Sequence, residues 1–240
     1  MDSEHGAAVP EATATSLSDG WLRCAARAVH ERRHWLTELD AAIGDGDHGI
    51  NLDRGFAALL EDLEAGAIPT GDVGALLTSA GRRLLGLVGG ASGALYGRAL
   101  LSAGTRLTER ASDPAIGRRA LVEVALAGAI DAITALGRAV PGDKTMLDAL
   151  APALEALRAA APDSPIRDVM RAMAEAAEAG AAATIPLVAR KGRASYLGER
   201  SAGHLDPGAA SSAILIRCLA DAVAATGETE TPPGVPRAQP

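Results

Sequence analysis

This sequence predicts an all-α fold, a barrel or bundle of about eight up-and-down antiparallel helices, on three observations. Hydrophobic residues make up 48% of the 240 residues but aromatic residues only 2%. Alanine, leucine and valine must therefore build the core, which suits close-packed helices better than sheets. Segments of helical periodicity alternate with glycine or proline punctuation, and none alternates convincingly with period two. The connections are mostly short, which implies antiparallel neighbours. A chain of this length makes one large domain or two small ones and can bury a substantial core.

The elements follow in order. Residues 1–17 and 226–240, rich in Pro, Thr, Glu and Gly, read as flexible tails around a helical domain over 18–225. Ser18 can cap a first helix to Leu36, with Trp21, Cys24, Ala28 and Trp35 on its apolar face. A second runs from Asp47 to Ala65, a third from Thr70 to Val88, and a fourth from Ser92 to Glu109. Asp113-Pro114 supplies an N-cap and a first-turn proline for a fifth, which ends near Gly137. The sixth extends from Asp143 to Ala160. Asp163-Ser164-Pro165 opens a seventh, which Pro186 kinks or ends. An eighth spans Asp206 to Ala225. Before it, residues 188–210 show little helical pattern and carry Arg190, Lys191, Arg193, Arg200, His204 and Asp206. Such a stretch is either a solvated crossover or a functional lid.

Net charge is −7, and without a Lys/Arg block or an aromatic ladder a nucleic-acid partner is excluded. Cys24 and Cys218 are far apart and read as ordinary buried thiols of a reducing compartment. The N-terminus lacks a signal-peptide pattern and no apolar run approaches 18 residues, so the expected location is cytoplasmic.

Chemistry concentrates in LDAAIGDGDHGINLDRGF, residues 39–56. An EF-hand reading fails, because its sixth position is Ile50 instead of glycine and its twelfth is Phe56 instead of glutamate. Asp40, Asp45 and Asp47 offer three hard oxygen ligands without a closed cage, which suits Mg²⁺ completed by water and phosphate. Helix capping is the rival reading and explains one of the three carboxylates. His48, Gly49 and Asn51 follow in a first helical turn, where free N–H groups favour an anion. The glycines of VGGASGALYG (88–97) allow close backbone approach either to a ligand at Ser92 or to a neighbouring helix. LGRAVPGDKTMLDAL (136–150) is not a P-loop, because Asp143 stands where glycine must precede Lys144-Thr145. It reads as an ordinary helix start.

In combination, DGDHGIN, GGASGALYG, PGDKTMLDAL and GRASYLGERSAGHLDPGA resemble the L subunit of dihydroxyacetone kinases, the DhaL family, over roughly residues 18–225. The resemblance implies a barrel of eight antiparallel helices with ADP or ATP held at one end through two Mg²⁺ ions. Its metal aspartates, which carry the catalysis, fall on Asp40, Asp45 and Asp47. Its nucleotide contacts fall on His48, Gly49, Ile50, Asn51, Ala91 and Ser92. Gly137 and Met146 match positions that flank the base, while Arg193 and Asp206-Pro207-Gly208 match the loop that closes over the nucleotide. The implied reaction transfers the ATP γ-phosphate to a short ketose held by a separate DhaK-type subunit. In one branch a DhaM-type phosphocarrier recharges bound ADP instead. Two alternatives accompany this reading: a non-catalytic nucleotide- and Mg-binding regulatory module, and the nucleotide domain of a fatty-acid-kinase-like system.

Overall fold

A leucine–alanine chain gains most by winding amphipathic helices around one interior, and the eight expected helices are all present. The computed structural model describes residues 11–69, 72–110 and 116–226, with side chains from residue 17 onward. They form α1 (Glu11–Ile43), α2 (His48–Glu64), α3 (Val73–Leu87), α4 (Gly90–Arg110), α5 (Arg118–Gly137), α6 (Leu147–Ala159), α7 (Ile166–Ala183) and α8 (Pro207–Ala225). A 3-10 segment, Arg193–Ser201, precedes α8, and among the described residues there is no strand. The outer tails and the expected boundaries at Thr70 and Asp113-Pro114 lie outside the described residues.

Helix α1 differs from expectation at both ends and around its axis. It begins at Glu11, inside the stretch read as a tail, and Leu17 packs against the core. Its buried face is Leu22, Ala25, Val29 and Leu36, each fully buried. Trp35, expected on that face, is 41% exposed. The same 3–4 spacing continues past Leu36 to Asp40 and Ile43, both buried. An aspartate thus ends up on the core-facing side of the last turn.

Helix α6 starts at Leu147 rather than Asp143. Gly142 (φ 93°) and Lys144 (φ 62°) occupy left-handed backbone, which a helix cannot include. Helix α7 ends at Ala183, before Pro186.

Each helix packs on its neighbours in chain order, and α1 also packs on α8, which closes a ring. In an up-and-down ring the α1–α2, α3–α4, α5–α6 and α7–α8 connections share one end. The ring surrounds a partly open apolar cavity of about 430 Å³, bordered by Trp21, Leu77, Leu126, Ile133, Leu150 and Leu219. Helices α5 and α8 line it and are, by length and composition, apolar enough to cross a membrane. That corrects the expectation that no run comes near such a length. A helix that faces an apolar interior is selected for the same composition as one that faces lipid, which accounts for α8, 61% buried over that stretch, whereas α5 is 17% buried over its own.

Small residues draw the walls together. A Cβ on Gly81 of α3 would lie 2.7 Å from the carbonyl oxygen of Gly97 on α4. Gly81→Val overpacks this contact at a cost of about 2 kcal/mol, so its melting temperature should fall by about 5 °C. Gly86, near the end of the same helix, has open space around it. Gly86→Ala should raise the melt by about 2 °C through helix propensity. Thermal denaturation followed by circular dichroism checks both signs.

Candidate functional site

Asp40 enters the site from the core face of α1, and Asp45 and Asp47 follow in the turn to α2. Asp40 Oδ2 accepts hydrogen bonds from the backbone N–H groups of Asp47 (2.9 Å) and His48 (3.2 Å). Asp47 occupies the N-cap position of α2, yet its own side chain makes no capping bond. The capping explanation is therefore wrong for Asp47: the carboxylate serving this helix start comes from the preceding helix. One carboxylate oxygen from each of Asp40, Asp45 and Asp47 lies within 4.8 Å of the others. Asp40 is buried, Asp47 half-buried and Asp45 exposed, so the cluster opens to solvent on one side. Three hard oxygens with an open side are a donor set for Mg²⁺ with water or phosphate completing its shell.

Intrahelical bonding in α2 begins with Asn51 N–H to the Asp47 carbonyl at 2.9 Å. The N–H groups of Gly49 and Ile50 have no partner within the helix and lie at its positive end. Ile50 is exposed, whereas Gly49 is buried. A Cβ on Gly49 would collide with the Arg33 carbonyl oxygen of α1. Asn51 is buried and its side-chain oxygen accepts from Arg54 at 2.9 Å.

The His48 imidazole turns inward. Its Nε2 lies 2.8 Å from Ser211 Oγ of α8. Burial lowers its pKa to about 4, against the opposing pull of Asp40, so it is neutral near neutral pH. Ser211 Oγ is also 2.7 Å from the Tyr96 hydroxyl of α4, which in turn is 3.0 Å from Ser212 Oγ. Burial raises Tyr96 to about 12. This neutral network binds α2, α4 and α8 together beneath the acidic cluster.

The remaining expected residues arrive from the other three connections at this end. Gly90, in left-handed backbone (φ 73°), opens α4 near the Asn51 side chain, with Ala91 and Ser92 in the same turn. Gly137 ends α5 and is exposed. Met146 is buried with its backbone against Gly208. Asp206 caps α8 by accepting from Ala209 N–H at 2.7 Å, and Pro207 occupies the first helical position. Burial raises the Asp206 carboxyl to about 7, with the Asp148 carboxylate adding and the Lys144 ammonium opposing. Arg193 reaches from the 3-10 segment to Asp45 Oδ2 at 3.1 Å.

Lys144 escaped the sequence reading, which saw an ordinary helix start. Its side chain is 1% exposed. Its Nζ donates to the carbonyls of His204 (2.5 Å), Thr184 (2.9 Å), Leu187 (3.1 Å) and, more weakly, Ile185 (3.4 Å). Burial lowers its pKa, while Asp206 acts the other way. The cluster of carbonyls compensates the buried ammonium and ties the α5–α6 turn to both ends of the loop before α8. Asp148 braces the same turn by accepting from Thr145 N–H (2.7 Å) and from Gly142 N–H. One signal was available in the sequence: lysine occurs only at 144 and 191 among 23 basic residues. A compact ammonium fits a ring of carbonyls where a planar guanidinium does not.

The chain matches the DAK2 domain over residues 42–221. It belongs to the DAK2 domain family. It is 41% identical over 201 residues to the ADP-binding subunit DhaL of the PEP-dependent dihydroxyacetone kinase of Escherichia coli (strain K12), covering 83% of this chain and 93% of that subunit. The corresponding ADP-binding subunit of kinase 2 of Listeria innocua serovar 6a is 41% identical over 191 residues, covering 80% and 87%. Among solved structures, the dihydroxyacetone kinase from C. freundii in complex with AMP-PNP and Mg²⁺ superposes with a TM-score of 0.67 at 28% identity. That likeness covers 92% of this chain, which spans 37% of the length of the C. freundii kinase. The DAK2 match begins two residues after Asp40 and includes Asp45 and Asp47.

Lys144→Met strands the carbonyls of His204, Thr184 and Leu187, at about 3 kcal/mol in all. The melting temperature should fall by about 9 °C, and Lys144→Arg should not restore it. Limited proteolysis should cut first within residues 188–205 of the Met variant. A wild-type melt in that variant would show the ammonium to be dispensable.

Proposed function

We propose that this chain is the nucleotide- and Mg²⁺-binding subunit of a dihydroxyacetone or related short-ketose kinase, and that it works in the cytoplasm. The observation that carries the reading is the oxygen cluster of Asp40, Asp45 and Asp47 at the start of α2, in a chain of which 80 to 83% aligns with ADP-binding DhaL subunits. Asp40, Asp45 and Asp47 would hold two Mg²⁺ ions. When bound, magnesium neutralises and aligns the nucleotide's phosphates.

The chain's own groups do the rest. Backbone N–H groups of Gly49 and Ile50 supply donors for phosphate oxygens, with His48 and Asn51 fixing that turn from beneath. Ala91 and Ser92 add a second helix start beside it. Gly137 and Met146 flank the base, and the Asp206-Pro207-Gly208 turn closes the same side. Arg193 pairs with Asp45 and, with Asp45 engaged in holding Mg²⁺, would be available to a phosphate oxygen. Phosphoryl transfer asks a protein chiefly for positioning and charge compensation, and these residues supply both. A DhaK-type subunit presents the ketose at this end of the ring. The donor is ATP, or a DhaM-type phosphocarrier that recharges ADP in place.

A thermal melt with ADP, with Mg²⁺ and with both tests the site. At a hundredfold excess over Kd, saturation adds about 2.7 kcal/mol, or about 8 °C, and the shift should require both ligands. Asp45→Asn should lose that shift, and kinase turnover with a K-type subunit should fall at least a hundredfold. Undiminished turnover in Asp45→Asn would sink the metal assignment.

A further inference from the structure

The two cysteines of the chain are 194 residues apart, and the sequence reading treated them as unrelated. Folding brings them into contact across the seam where the ring closes. Cys24 lies on α1 and Cys218 on α8, and Cys24 Sγ donates to Cys218 Sγ at 2.6 Å. Both are free thiols. Cys24 is partly exposed, whereas Cys218 is buried. One turn away, Trp21 Nε1 donates to the Leu215 carbonyl at 3.1 Å and holds the same two helices together. A bonded pair of sulfurs is about 2.05 Å apart, so the two thiol sulfurs stand within bridging reach of each other. Cys24 precedes Asp40 by 16 residues on a continuous helix, about 24 Å of axial rise. The pair is therefore separate from the acidic cluster and plays no part in the proposed transfer.

We propose that Cys24 and Cys218 are a site of reversible oxidative modification, at which a low-molecular-weight disulfide converts the two thiols into an intramolecular bridge between the first and last helices. Access decides the order of events. The Cys24 thiol loses its proton and attacks one sulfur of the reagent RSSR, giving a Cys24–S–S–R mixed disulfide and releasing RS⁻. Cys218 then loses its proton and attacks Cys24 Sγ, forming the Cys24–Cys218 bond and expelling the second RS⁻. The two protons are taken up by the two leaving thiolates. Overall two protein thiols are oxidised and one RSSR is reduced to two RSH. Burial and the contact with Cys24 push the Cys218 thiol above its ordinary range, so the second step relies on proximity. The bridge encloses most of the chain, α1 to α8, and restricts the unfolded state accordingly.

The test uses the full chain, free of nucleotide, incubated with oxidised glutathione. Remaining thiols are alkylated and the intact mass is measured. The chain has two cysteines, so the outcomes separate cleanly. The expected product is a monomer lighter by two hydrogens, with no alkylated thiol and no glutathione adduct, restored by dithiothreitol. Its melting temperature should exceed that of the reduced chain by about 10 °C. Cys218→Ser should stop at a glutathione adduct on Cys24, and Cys24→Ser should leave Cys218 alkylatable only after unfolding. A persistent adduct on the wild-type chain, a disulfide-linked dimer, or two intact thiols would overturn the assignment. A bridged product that melts no higher than the reduced chain would overturn the stapling.

Discussion

The carboxylate of Asp40 sets the terms for everything around it. It is a buried anion at the end of a helix's core-facing stripe, and a buried anion must be satisfied or it neutralises. Two backbone N–H groups at the start of α2 satisfy it. This forces α1 to end at Ile43, the chain to turn within four residues, and α2 to begin at His48. The same bonds aim Asp45 and Asp47 toward Asp40, where three negative charges repel one another. The positive end of α2 and the Arg193 guanidinium offset part of that repulsion. A cation at the open side would offset the rest.

From that corner the contacts spread inward. Gly49 lets α2 lie directly on the α1 backbone. His48 passes the connection through Ser211 to α8 and through Tyr96 to α4. Each member is neutral at neutral pH, so the network needs no counter-charge beneath a cluster that already has too much. The acidic groups are thus displayed on a floor of uncharged hydrogen bonds, which limits how far they can relax away from one another.

Two cations near this end behave differently. Arg193 is largely exposed in its pair with Asp45, and such a surface pair is worth at most about 1 kcal/mol. It can exchange partners at little cost. Lys144 is sealed among main-chain carbonyls and holds residues 184–204 to the α5–α6 turn. The loop is thus fastened at its base and weakly tethered at Arg193, in keeping with the exchange of partners proposed for that side chain.

Local chemistry was open to reading from the sequence by itself. Composition and punctuation specify eight helices, because periodicity and the conformational limits of Gly and Pro act within a few residues. The acidic turn at 40–47 and its following helix start are contiguous, so their joint character was legible. Other features depended on contacts between distant segments. Only the tertiary structure decided which face of α1 is buried, since that depends on what α2 and α8 present to it. It also decided that Asp40 rather than Asp47 holds the start of α2. Lys144 looked ordinary because its four carbonyl partners lie 40 to 60 residues away. Cys24 and Cys218 looked unrelated because only ring closure joins the first helix to the last. Main-chain carbonyls and seams leave no mark on side-chain pattern, and so they become visible only when the chain has folded.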